Sequence, residues 1–181
     1  MWHALPATWG SSWLAEAEQC FLQAQQASDS NEWQHLLSAN LGYVYLVQGN
    51  LNQAKECLRQ AASLATDEDE AILRVAYWRD GQMQPDDVIH PSTFTPVRTI
   101  INANLVTLAL AQGQEAEAES LAQQMVKEAP DAPWGHKMLG WVKHAQEDFA
   151  KARQAWRQAL ALVTDPEKQE VLARWLETVP E

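Results

Sequence analysis

Apolar residues recur along this chain at the three- and four-residue spacing of helices, and the recurrence is itself repeated. From His35 the chain reads Ser38-x2-Leu41-Gly42-x2-Tyr45, reaches Gly49, and continues Ala54-x3-Leu58-x2-Ala61. From Pro133 it reads His136-x2-Leu139-Gly140 and then Ala152-x3-Trp156-x2-Ala159. From Thr99 it reads Asn102-x2-Leu105, then Gly113, then Ala118-x3-Ala122, and ends at Pro130. Thr99 and Pro133 are 34 residues apart, so the last two units abut. Each unit predicts two helices. Small residues at Gly42, Gly140, Ala54, Ala118 and Ala152 let backbones approach, and Leu41, Tyr45, Leu58 and Trp156 fill the gaps between helix pairs. Gly49-Asn50 and Gly113-Gln114 end the first helix of their pairs, where a left-handed residue is needed.

The remaining segments take their places around these units. Ser12 is a candidate N-cap for a helix from Trp13 to Ala27, whose Ala17-x3-Phe21-x2-Ala24 has the pattern of a second helix. Its first helix is missing or reduced to residues 2–10. Asp67 to Arg79 reads as a first helix with Ile72, Val75 and Ala76 on one side. Residues 81–95 contain two prolines and no helical period, which predicts an irregular connection. Val88, Ile89 and Phe94 give that connection apolar residues with which to lie against the helices; the alternative is a mobile, partner-binding loop. Thr95-Pro96 restarts a helix as N-cap and first-turn proline. Asp165 to Thr178 reads as one amphipathic helix with Val171, Leu172, Trp175 and Leu176 on a stripe, suited to closing an open end.

The repeated pattern resembles that of the tetratricopeptide repeat family, W-x2-L-G-x2-Y, then A-x3-F, then P, over 34 residues. Segment 35–68 is the close match. Segment 133–166 keeps Leu139, Gly140 and Ala152, has Trp156 for Phe, and puts Lys143 where Tyr is usual. Segment 99–132 departs further, with Val106 for the glycine, Ala109 for the tyrosine and Met125 for an alanine. The resemblance implies an all-α fold: a short right-handed α-solenoid of antiparallel helix pairs, forming a single domain over 1–181. Degenerate half-repeats would occupy 12–34 and 69–98, and a capping helix 165–178. It also implies a protein–protein interaction module, an adaptor, scaffold or assembly factor, that holds a peptide or helix of another protein in the concave groove lined by the first helices. Counted from the Leu-Gly pair, the groove positions are Leu36, Ala39, Tyr43, Leu46 and Val47, then Ile100, Ala103, Thr107, Leu110 and Ala111, then Trp134, Lys137, Trp141 and His144. Asn40 and Asn104 lie beside them and are able to hydrogen-bond an extended backbone. The same residues would be buried instead if the 81–95 segment or the solenoid's curvature covered them. Some members of the family clamp the acidic tail of heat-shock chaperones with Lys, Arg and Asn. Here only Asn40, Asn104 and Lys137 are of that type, and Trp141 stands where a clamp asparagine would be, so an apolar peptide or amphipathic helix fits better.

Charge and composition narrow the partners. The formal net charge is −11. Residues 1–34 carry four acids and no Lys or Arg, while 133–181 carry seven of each sign. An acidic chain without a basic stripe is a poor match for nucleic acid or for anionic lipid. No run of about 18 apolar residues predicts membrane insertion, and no basic residue precedes an apolar run at the N-terminus as in a signal peptide. Cys20 and Cys57 lie in no metal-binding spacing and are expected as free thiols. Together these point to a reducing compartment, the cytoplasm.

Candidate chemistry is sparse. No phosphate-binding glycine loop, G-x-S-x-G or H-E-x-x-H is present. No cofactor is implied. His136 and His144 are two helical turns apart, too far to share a metal. Glu115, Glu117 and Glu119 favour a helix dipole without converging. Of the nine tryptophans, Trp13, Trp78, Trp156 and Trp175 occupy core-type positions. Trp2, Trp9 and Trp33 would seal the N-terminal end or form an aromatic patch. Two other functions stay open: a self-associating structural subunit stacking through solenoid ends, and a regulatory subunit or enzyme with a site under 81–95 near His90, Asp86, Asp87 and Arg79.

Overall fold

A computed structural model describes residues 7–27, 33–66, 70–71, 75–79, 81–85 and 95–179. It is built from helices α1 (Ala7–Ala27), α2 (Gln34–Val47), α3 (Leu51–Leu64), α4 (Val97–Ala111), α5 (Glu115–Glu128), α6 (Pro133–Ala145), α7 (Phe149–Leu162) and α8 (Pro166–Thr178). Between α3 and α4 lie short strands β1 (Glu70–Ala71), β2 (Ala76–Arg79), β3 (Gln82–Pro85) and β4 (Thr95–Pro96).

The helices pair as α2/α3, α4/α5 and α6/α7, and each pair stacks on the next: α3 against α4, α5 against α6. The first helices also touch one another, α2 with α4 and α4 with α6. This is a short solenoid of helix pairs like that of tetratricopeptide repeats. Close approach within pairs is set by glycine. A Cβ on Gly42 would stand 2.6 Å from Leu58 Cγ, and one on Gly140 would overlap the indole of Trp156. Between pairs, a Cβ on Gly135 would meet the α5 backbone 2.7 Å away at Val126 N. At the far end α8 packs on α7 and buries Leu172, with Asp165 accepting from Lys168 N–H at its start.

All three pairs turn in the same way. Asn50 N–H reaches back to Tyr45 C=O, Gln114 N–H to Ala109 C=O, and Asp148 N–H to Lys143 C=O, at 2.8–2.9 Å. The residue before each is left-handed: Gly49 at φ 78°, Gly113 at φ 70° and Glu147 at φ 59°. Both predicted glycines are where the turn needs them. Glu147 is a third such position, occupied by a residue with a Cβ that disfavours it. Glu147→Gly should therefore raise stability by about 0.5–1 kcal/mol, the relief of strain exceeding the added freedom of the unfolded chain. A urea melt of the single variant checks the sign.

The structure corrects several expectations. The segment 67–79 is not a helix: where described it is extended, with β2 in hairpin register to β3, Tyr77 opposite Gln84 and Arg79 opposite Gln82. Nor is 81–95 wholly irregular, since Gln82–Pro85 and Thr95–Pro96 are strands. The deciding signal is Asp80-Gly81, the dipeptide of a two-residue hairpin turn, with Gly81 at φ 75°. β1 and β4 close the base of the excursion, Glu70 opposite Pro96 and Ala71 opposite Thr95. Pro96 ends that ladder and α4 begins at Val97, so the proline precedes the first turn. Val88, Ile89, Phe94 and His90 lie outside the described residues. At the other end, α1 runs unbroken from Ala7, past the predicted N-cap Ser12. Trp13, expected in the core, is 39% exposed. Cys20 and Cys57 are free thiols, and burial pushes the Cys57 thiol up.

Candidate functional site

Strand β2 lies against the first helices α2, α4 and α6, with β3 beside it on α2. α2 and α4 are apolar on nearly every side, with Leu46, Ile100, Val106 and Ala109 all buried. A helix of that kind is covered on both faces. Here the second helices cover one face and the hairpin covers the other.

The residues expected to line the groove fall into three groups. Tyr43 and Leu46 join the cluster that holds Ala76, with Val47 and Met83 packed against it. Ile100 and Trp141 join the cluster that holds Val75 and Tyr77, with Trp134 packed against it. Leu36 and Ala39 sit apart, with Val97 and Ile101, where the first pair meets the second. Tyr43 and Trp141 are 3% and 4% exposed. Truncating either would therefore open the core.

Two side chains of α4 meet the backbone of β2. Asn104 Oδ1 accepts from Ala76 N–H at 2.9 Å, and Thr107 Oγ1 donates to Ala76 C=O at 2.6 Å. Both are buried. A buried amide group without partners is costly, and here one residue of extended chain has both of its backbone groups met. Asn40 does not share this role: its Nδ2 donates to Leu36 C=O at 2.8 Å within its own helix.

The α6 end of the groove is aromatic. Trp141 is the hub, with ring centroids 5.0 Å from Trp156, 5.0 Å from Trp175, 5.6 Å from Tyr77 and 5.9 Å from His144. Tyr77 also meets Trp175 edge-on at 5.4 Å. Edge-to-face packing of this kind adds to simple burial. Lys137 Nζ stands 4.0 Å over the Trp134 ring and 5.4 Å from that of Trp175. Its charge is turned onto aromatic faces. His136 Nε2 pairs with Pro130 C=O, outside this cluster.

Lys143, where the repeat pattern usually has tyrosine, makes a polar bridge between the second and third pairs. Its Nζ donates to Glu119 Oε1 at 2.6 Å and Gln146 Oε1 at 2.9 Å, and Gln146 Nε2 donates to Glu119 Oε2 at 3.0 Å. The hydrogen bonds from Lys143 and then Gln146 hold the Glu119 carboxyl below its usual range. A lowered folded-state pKa stabilises above the unfolded value and is lost as pH falls through the folded one. Glu119→Gln should thus cost up to about 1 kcal/mol near neutrality, the pair being partly exposed. The gap between variant and wild type should close in acid, below about pH 4. Urea melts across that range test it.

Among the described residues no group of three His, Cys, Asp or Glu side chains stands close enough to hold a metal ion. Asp86, Asp87 and His90, and the side chain of Arg79, lie outside the described part. No described helix is long and apolar enough to cross a membrane.

Residues 37–68 match the family model of the tetratricopeptide repeat. This chain carries a tetratricopeptide repeat. The matched span holds most of α2 and all of α3, with the Gly42–Leu58 contact and the Gly49 turn inside it. Tetratricopeptide repeats are in general elements that bind other proteins, on a fold that is generally not catalytic. No curated protein matches the sequence.

Pattern reasoning put Val75 and Ala76 on a helix and did not single out Tyr77; β2 lies against the first helices, and all three residues are buried. Their spacing suits one face of a helix as well as a buried strand. The turn dipeptide four residues after Ala76 was the signal that separates the two.

Proposed function

We propose that this chain is a non-catalytic adaptor, scaffold or assembly factor that holds an extended segment of another protein along α2, α4 and α6. The observation that carries this reading is the pair of hydrogen bonds from Asn104 and Thr107 to one residue's backbone. Side chains that satisfy N–H and C=O together recognise a chain by its conformation and leave the specificity to the walls. Those walls are apolar and aromatic, and Lys137, the cation among the expected lining residues, stands over tryptophan faces. Such walls suit an acidic tail poorly. An extended apolar segment fits better than a helix, whose backbone groups are already paired.

The test is selection of peptides from a display library on the immobilised full chain, followed by photo-crosslinking of the enriched sequences. Crosslinks should fall on α2, α4 and α6. Crosslinks confined to α1 or to the outer helices α3, α5 and α7 would remove the groove reading.

A second reading is favoured at the other end. Trp33, just before α2, is 55% exposed, and Trp13, within α1, is 39% exposed. Exposed tryptophan at an open solenoid end suits stacking of one copy on another. Light scattering over a concentration series decides it: a constant mass removes self-association.

A further inference from the structure

We propose that β2 is a built-in occupant of the groove, and that a partner enters by displacing it with an extended segment of the same pattern: apolar, small, aromatic. This rests on the groove reading above and adds what the partner must look like and what it must compete with.

The pattern follows from how β2 is seated. Ala76 is fully buried while its backbone is held by Asn104 and Thr107, so its place admits only a small residue. Val75 before it is fully buried. Tyr77 after it enters a socket between Trp141 and Trp175, which takes a planar ring. The recognition of Ala76 runs through main-chain atoms, so a foreign chain supplies it equally well.

Displacement is possible because the helices do not need the hairpin to stack. α3 packs directly on α4, and α2 on α4 on α6. The excursion leaves and rejoins the helical stack at one point, closed by the β1–β4 ladder. Its turn is at the surface, with Gly81 and Gln82 exposed. Lifting the hairpin therefore leaves the direct helix-to-helix contacts between pairs in place, but uncovers Tyr43, Leu46, Ile100 and Trp141 to water. Exposing that surface is costly, so the hairpin stays seated most of the time and a partner competes with it for the same place.

The seat is also imperfect. Trp141 is buried, and its indole N–H has no acceptor among the described residues. A partner whose aromatic residue is flanked by an acceptor satisfies that donor, which β2 does not. The self-ligand thus occupies the groove and leaves a competitor something to gain.

Amide hydrogen exchange on the unmodified chain is the first arm. Residues 75–85 should exchange at least about a hundredfold faster than the centre of α4, by an opening separate from global unfolding. Exchange at the α4 rate would show that the hairpin leaves only when the whole chain unfolds, and would overturn the proposal. The second arm uses a fluorescently labelled peptide spanning Val75–Pro85 and the full-length Ala76→Arg chain, whose hairpin is too large to seat. The variant should keep its helical melt and bind the peptide at least about tenfold tighter than wild type. Equal affinity for the two chains, or loss of the helical melt, overturns it. The two readings fail separately: slow exchange removes displacement and leaves the groove, while library crosslinks outside the groove remove the groove reading whatever the exchange rate.

Discussion

Trp156→Ala should destabilise this protein by about 3–5 kcal/mol, the range for deleting a fully buried tryptophan. Trp156 is entirely inaccessible to solvent. Its ring packs 5.0 Å from Trp141 and 5.8 Å from Trp175, and its N–H donates to Lys137 C=O at 3.1 Å. Removing it opens a cavity where α6, α7 and α8 converge and leaves that carbonyl short of a donor. Against a total stability of about 5–15 kcal/mol for a typical domain, this is a large fraction. The melting temperature should fall by about 6–20 °C, taking about 2–4 °C per kcal/mol at this length. Trp33→Ala, at a position more than half exposed, should move it by no more than the equivalent of about 0.5 kcal/mol. Thermal melts of the two variants side by side separate burial from tryptophan content. Similar losses in both would refute the assignment of Trp156 to the core.

Gly140→Ala should be the most damaging single-methyl change. Helix propensity alone predicts a gain of about 1 kcal/mol, since Gly140 is inside α6. Sterics oppose it: the three atoms nearest an added Cβ all belong to the Trp156 indole, inside van der Waals contact. That ring is enclosed on all sides and has no free end to swing away. Overpacking of this kind costs about 1–3 kcal/mol and is expected to win, with a net loss. The clash and the ring are one interaction, so the effects must be non-additive. In a Trp156→Phe background the cost of Gly140→Ala should shrink by at least about 0.5 kcal/mol. A double-mutant cycle by urea denaturation measures this. An additive cycle would mean that the helices relax by another route.

Gly42 and Gly140 show what kind of information a repeat carries. Each faces the large residue of its own helix pair, Leu58 or Trp156, at matching places in the two repeats. The contact is closed within one unit, so pattern alone reveals it. The same holds for the turns at Gly49 and Gly113, and for the stripe of α8 that places Leu172 in the core. Glu147 escaped because residue type hides a backbone requirement that only the hydrogen-bond pattern of the turn exposes.

The groove was legible in part. The all-round apolar character of α2 and α4, and the presence of Asn104 and Thr107 on the first helix of the middle pair, are in the sequence. They determine a covered surface able to meet an extended backbone. What covers it was decided by tertiary structure. Val75, Ala76 and Tyr77 satisfy a helical period and a strand equally, and the segment's own residues leave that choice nearly balanced. The balance is tipped by partners 28 and 31 residues away, Asn104 and Thr107, which take both backbone groups of Ala76. A helix at that place would have had its amides paired internally and made no use of them. Contacts that close inside one repeat were thus fixed by local pattern, whereas the occupant of the groove depended on groups that meet only after the repeats have stacked.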